Sequence, residues 1–91
     1  SKDDFILLDV RTEQEVFISS ISGSTHIPMN DILNRINELD KNKEIIVMCK
    51  SGKRSAKVCK FLMKNKFQNV KNLQGGIIAW SKEIDSSIIV Y

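Results

Sequence analysis

The chain is short of the residues that build extracellular scaffolds and metal centres. Among its 91 residues are two cysteines, one histidine, one proline and one tryptophan. Cys49 and Cys59, with His26 as the sole histidine, provide neither a disulfide framework nor four ligands at zinc spacing. Reduced thiols, no metal and no cofactor are therefore expected, in a compartment such as the cytosol or an organelle stroma. No apolar run approaches the ~20 residues that span a bilayer, and no charged start leads into an apolar stretch and cleavage site. The expectation is a soluble, intracellular protein with no membrane partner. Acidic residues are missing between positions 50 and 66, where Lys50, Lys53, Arg54, Lys57, Lys60, Lys64 and Lys66 stand. Two readings of this basic face stay open: a solvated helix surface, or attraction of an anionic substrate or acidic partner. Phe61 is the single aromatic within it and no recognition motif accompanies it, which argues against nucleic acid.

What is present is close to an average globular composition, 42% hydrophobic and 27% charged, in a length suited to one domain over residues 1–91. Phe5-Ile6-Leu7-Leu8 is a continuous apolar run ending at Asp9, the pattern of a strand buried on both faces. Thr12 with Glu15 has capping-box spacing and opens a short helix to Ile18. Thr25-His26-Ile27 reads as a brief strand stopped by Pro28, and Ile32, Leu33, Ile36 and Leu39 fall at helical spacing. Ile45-Ile46-Val47-Met48 repeats the buried-strand pattern. A helix from Ser55 to about Lys66 follows, with Ala56, Cys59, Leu62 and Met63 as its apolar stripe. Val70 to Leu73 is a last strand, Gly75-Gly76 a turn, and Ile77 to Ile84 a helix carrying a core Trp80. Alternating strands and helices predict an α/β fold, a mostly parallel sheet with helices on both faces.

Cys49 ends the third strand, and in parallel sheets the reactive crevice lies outside the carboxyl ends of the strands. Lys50-Ser51-Gly52-Lys53-Arg54-Ser55 then leads into the helix. Backbone N–H groups of a Gly-containing loop and of a helix N-terminus can converge on one point, where the helix dipole adds positive potential. A free thiol titrates at about 8.5, and such surroundings lower that value, giving a nucleophile without a histidine base. The same cradle suits a persulfide anion. The opposing reading is a buried, inert cysteine. Cys59, on the apolar stripe, reads as a packed core thiol, with a resolving cysteine as the alternative.

Taken in order, three segments resemble the rhodanese homology domain from Phe5 to Trp80: Leu8-Asp9-Val10-Arg11 with Glu15, then Cys49-Lys50-Ser51-Gly52-Lys53-Arg54-Ser55, then Leu73-Gln74-Gly75-Gly76 with Trp80. The resemblance implies a rhodanese-like three-layer fold and a sulfurtransferase in which Cys49 carries a sulfane sulfur as a persulfide. It implies that the loop from Lys50 to Ser55 binds substrate. Lys50, Lys53 and Arg54 would favour an anionic donor, such as thiosulfate or a persulfide-bearing protein. Asp9 and Arg11 match positions that support the loop, and read as a hydrogen-bonded scaffold pair; Gly75 and Gly76 are turn residues packed near the site. Four residues separate Cys49 from Arg54, the loop length of sulfurtransferases; the related phosphatases use a longer loop.

The tail, from Gly75-Gly76-Ile77 and Trp80 through Glu83-Ile84-Asp85 to Tyr91, resembles the end of two-domain adenylyltransferase–sulfurtransferases of the molybdopterin and thiamine type. That resemblance implies an E1-like adenylyltransferase domain on the same chain and, as acceptor, the carboxyl terminus of a ubiquitin-like sulfur-carrier protein in molybdopterin, thiamine or tRNA thiolation. Two departures stand out. The family's Gly-His-Ile is Ser19-Ser20-Ile21 here, and the chain starts four residues before its first strand, where relatives have another strand and helix. A fragment excised from a longer chain, with a sheet edge left open, is the expectation. The competing function is a non-catalytic rhodanese-like protein-interaction module; such modules often lack the loop cysteine.

Overall fold

The computed structural model describes residues 5–84. Asp85 and Tyr91, which enter the tail resemblance, lie outside the described residues. Among the described residues, four strands, β1 (Phe5–Asp9), β2 (Thr25–His26), β3 (Glu44–Met48) and β4 (Val70–Asn72), form one sheet in the order β2-β1-β3-β4. Every pairing is parallel. The long central pair runs in register from Phe5 against Glu44 to Asp9 against Met48, so β1 and β3 end at the same level. The helices are α1 (Glu13–Ile18), α2 (Ile32–Arg35), α3 (Lys53–Lys64) and α4 (Gly76–Glu83). No helix among the described residues is long and apolar enough to cross a membrane.

Side-chain alternation along the strands divides the core into two layers. Leu8, Val10, Ile45, Val47 and Cys49 face α2 and α3, together with Ile27, Ile32, Val58, Cys59, Leu62 and Phe67. Leu7 and Met48 face the other way, onto Ile21 and Ile77, with Ile46, Leu73 and Trp80 packed at the margin. Helices thus cover both faces of a parallel sheet, the three-layer arrangement the sequence suggests. The first strand is less enclosed than its composition implies, because Phe5 at its start is 41% exposed.

Three further local expectations change. The apolar stripe of α3 is Ser55, Val58, Cys59 and Leu62, the i, i+3, i+4, i+7 set of one helical face. Met63 falls outside that set and is exposed. The span expected as one helix from Ile32 to Leu39 is a single α turn flanked by 3-10 turns, Met29–Asp31 and Ile36–Glu38. Arg35 leaves helical geometry there and forms a forked ion pair with Glu38 at 2.8 and 3.0 Å, a spacing that the tighter turn brings into line. Trp80 is half-buried at the edge of the second layer rather than at its centre.

Candidate active site

The sheet delivers the site through the ends of β1 and β3. Val10 N–H donates to the Met48 carbonyl at 3.0 Å, and Ile27 N–H to the Asp9 carbonyl at 3.0 Å, so the backbone beside Cys49 is tied to its neighbours on β1 and β2. Beyond β1, Asp9 and Arg11 form a forked ion pair with both side chains fully buried and a shortest N···O distance of 2.7 Å. Arg11 also donates to the Ser19 carbonyl at 2.6 Å. His26 Nε2–H donates to the Arg11 carbonyl at 2.7 Å. The pair is a scaffold that pins the 10–19 segment above the strand ends, and its complete burial makes loss of one partner more costly than loss of both.

Gly52 is the residue before the first turn of α3, at φ +105 with no side chain to cap the helix. The position of a capping oxygen is taken by the Cys49 sulfur. Gly52 N–H donates to Sγ at 3.0 Å, Ser55 N–H reaches it at 3.5 Å, and Ser55 Oγ lies 3.4 Å away. Burial pushes the Cys49 thiol up, but hydrogen bonds from the Ser55 hydroxyl and from the N–H groups of Ser55, Gly52 and Ser51 outweigh it, and the net direction is down. Cys59 has burial alone, which pushes its thiol up. Cys49 itself is only 1% exposed; the sulfur sits at the floor of the loop rather than on its rim.

The underside of the loop rests on α4. Ile77 N–H donates to the Cys49 carbonyl at 2.9 Å and Ile78 N–H to that of Lys50 at 3.3 Å, so loop carbonyls satisfy the open N-terminus of that helix. Gly76 makes the approach possible: it has φ +60, and a methyl group there would overlap the Cys49 and Lys50 carbonyl oxygens. Gly75 and Gly76 therefore abut the loop directly.

Of the cations expected to face an anionic donor, Arg54 is already engaged. Its guanidinium forks onto the Glu15 carboxylate at 2.6 and 2.8 Å, while the same carboxylate accepts from Thr12 N–H at 3.0 Å in the capping box of α1. That carboxylate comes from α1 and is invisible in the loop's own sequence, so the charge of Arg54 is already matched within the fold. Lys53 and Ser51 are exposed at the rim and Lys50 is half-buried. Two features have no counterpart in the sequence reading: the Glu15–Arg54 bridge, and Asn72, whose side-chain amide binds both Ser55 Oγ and the Gly52 carbonyl, the latter at 3.0 Å. The position of Asn72 at the carboxyl end of β4 is the only signal that marks it.

The model of the rhodanese-like domain family matches residues 1–83. The chain belongs to that family. As a rhodanese-like domain it is 42% identical over 81 residues to a putative sulfurtransferase, YtwF, of Bacillus subtilis, covering 89% of this chain and 78% of that one. It is also 32% identical to the adenylyltransferase and sulfurtransferase UBA4 of Meyerozyma guilliermondii, covering 97% of this chain but 23% of the larger protein. Among solved structures, a rhodanese-related protein from Thermoplasma volcanium superposes with a TM-score of 0.86 at 29% identity, covering 99% of this chain and 88% of the other. The rhodanese-like domain described here is a sulfurtransferase of this family, with relatives both among small sulfurtransferases and among the rhodanese domains of adenylyltransferase fusions.

Proposed function

We propose that Cys49 is the sulfur-carrying nucleophile, and that the loop from Lys50 to Ser55 is the substrate-binding loop. The observation that carries this reading is the convergence of the Gly52 and Ser55 N–H groups and the Ser55 hydroxyl on one sulfur at the start of α3. The Cys49 thiolate attacks the outer sulfur of thiosulfate, the S–S bond breaks with its electron pair leaving on sulfite, and a Cys49 persulfide anion remains. A nucleophilic acceptor such as cyanide then takes that sulfur and returns the thiolate with no external oxidant or reductant; an adenylated carboxyl terminus is instead attacked by the persulfide anion at its carbonyl carbon, AMP leaves, and external thiols reduce the resulting acyl disulfide to release the thiocarboxylate and restore Cys49. Attachment extends the site by an S–S bond of about 2.05 Å, which carries the transferable sulfur away from the floor of the loop. Asp9, Arg11, Gly75 and Gly76 act as supports: the first two fix the segment beside the strand ends, the glycines admit α4 beneath the loop.

Lys50 and Lys53 favour an anionic donor, thiosulfate or a persulfide on a protein. The kinship with UBA4 supports a ubiquitin-like sulfur-carrier carboxyl terminus as acceptor, activated by an E1-like adenylyltransferase domain on the same chain, in molybdopterin, thiamine or tRNA thiolation. Two unbridged thiols accord with a reducing cytosol or stroma. Thiosulfate:cyanide turnover tests the nucleophile: Cys49→Ser abolishes thiocyanate formation in a folded protein, and undiminished turnover overturns the assignment. One observation favours a second reading, a non-catalytic interaction module: the 1% exposure of Cys49. If it holds, the thiol resists alkylation at every pH at which the protein stays folded.

A further inference from the structure

Asn72 stands outside the loop and none of the motifs includes it, yet its amide closes a ring of contacts around the reactive sulfur. Its Nδ2 donates to the Gly52 carbonyl. A carbonyl can only accept, so that contact fixes the amide orientation and turns Oδ1 toward Ser55 Oγ. Oδ1 in turn can only accept, so the Ser55 hydroxyl donates to Asn72. A hydroxyl has one proton. While the sulfur is a thiol, that proton rests on Asn72 and Ser55 Oγ presents lone pairs to the S–H, 3.4 Å away; it reaches Sγ only as the thiolate forms, the contact through which Ser55 helps to bring the Cys49 titration down.

We propose that Asn72 is a positioning residue that holds the Ser55 hydroxyl proton away from the Cys49 sulfur, so that this hydroxyl favours the thiol until its proton turns from Asn72 to Sγ. The Gly52 and Ser55 N–H groups are fixed donors and favour the thiolate in every state. Ser55 is the one reversible member of the cradle, and Asn72 sets its direction. This makes the contest between Cys49 and Asn72 for a single proton a control on how readily the nucleophile forms, and a place where a sulfur lengthened to a persulfide would meet a different donor set.

The charged and titratable groups on the elements packed around the sulfur are Lys50 and Lys53 on the loop, the Glu15–Arg54 bridge between α1 and α3, the buried Asp9–Arg11 pair beyond β1, His26 on β2, and the Lys71–Glu44 pair, whose Glu44 opens β3 at the end away from Cys49. All are unchanged by substitution at Asn72 or Ser55, so a double-mutant cycle isolates the path through Ser55. The proposal rests on Cys49 being the reacting thiol, but its readout does not use sulfur transfer.

The test is the pH dependence of Cys49 alkylation by iodoacetamide, followed on the Cys49 peptide by mass spectrometry, in wild type, Asn72→Leu, Ser55→Ala and the double variant. Leu fills the volume of the amide without accepting a proton; Asn72→Ala is the second variant should Asn72→Leu not fold, with circular dichroism as the check. Freed from Asn72, the Ser55 proton stabilises the thiolate, so the inflection moves to lower pH and alkylation on its acid side speeds up roughly tenfold, the effect of about one hydrogen bond to a charged group. In the Ser55→Ala background the same substitution changes nothing. An unchanged or raised inflection in the single Asn72 variants, or an equal shift with and without the Ser55 hydroxyl, overturns the proposal. Thiosulfate:cyanide turnover of Cys49→Ser is scored separately, so failure of the sulfur-carrier assignment is not confused with failure of the Asn72 assignment.

Discussion

Cys49 and Cys59 are both buried and both unbridged, and their surroundings push the two thiols in opposite directions. Only the thiolate is alkylated, so the rate at Cys49 rises with pH and levels off above its own titration. Because hydrogen bonds bring that titration down, the inflection falls below that of a free thiol measured in the same buffer; an inflection at or above the free-thiol one shows that the N–H cradle does not operate. The linkage to stability has the same sign: contacts to the Cys49 thiolate contribute above the unfolded-state value and are lost as pH falls through the folded one. Cys59 behaves inversely. Its stabilising burial as a neutral thiol is complete below the unfolded-state value and is lost as pH rises through the folded one. Cys59→Ala keeps sulfur transfer while lowering stability by about 1 kcal/mol for the cavity left in the core, as read by urea unfolding beside turnover. Equal loss of turnover in a folded Cys59→Ala protein would assign a chemical role to both thiols.

At the scale of elements, the site depends on how α1, α3 and α4 meet the strand ends. Glu15 completes the capping box of α1 and, with the same carboxylate, holds Arg54 in the first turn of α3. Glu15→Gln retains an acceptor for Thr12 N–H but weakens the bridge, and is expected to cost about 1 kcal/mol or less for a partly exposed pair. Glu15→Ala removes both contacts and costs about 1–2 kcal/mol. Urea midpoints separate the terms: equal midpoints in the two variants would show that the bridge alone matters, and a wild-type midpoint in Glu15→Gln that the cap alone does. Gly76→Ala meets a stronger barrier, combining φ +60 with overlap on the loop carbonyls. It should destabilise by at least ~1–2 kcal/mol from the left-handed backbone alone and displace Cys49, with a fall in turnover larger than the fall in folded fraction; a fully active Gly76→Ala protein would show that α4 does not brace the loop. The legibility of these elements follows from their physics. Buried strands, the capping box of Thr12 and Glu15, and the strand–loop–helix around Cys49 are local patterns and could be read directly. The 3-10 breaks around α2, the exposure of Met63 and the Glu15–Arg54 bridge depend on phase and on partners distant in sequence, which composition does not encode. Asn72 was hidden for the same reason: an Asn at a strand end carries no mark until the loop it holds is folded beside it.

For the molecule as a whole, a parallel sheet presents one end, and the chain gathers its chemistry there while α2 and α3 on one face and α4 on the other supply the core. The basic stretch from 50 to 66 is divided by this geometry. Within the loop, Arg54 faces a carboxylate and Lys50 and Lys53 are the two lysines, while Lys57, Lys60, Lys64 and Lys66 are exposed along and after α3. Lys50→Ala/Lys53→Ala should raise KM for thiosulfate by a few-fold at low salt, consistent with roughly 0–1 kcal/mol per partly exposed charge, and the difference should shrink as ionic strength rises. A KM that is unchanged at every ionic strength would return the whole stretch to solvated surface. The central claim, that this fold holds a transferable sulfur on Cys49, is tested most directly by intact mass. After incubation with thiosulfate and removal of the donor, wild-type protein should gain one sulfur, lose it on addition of cyanide, and show no such gain as Cys49→Ser. A folded wild-type protein that gains no sulfur, or a Cys49→Ser protein that gains it equally, would contradict that claim.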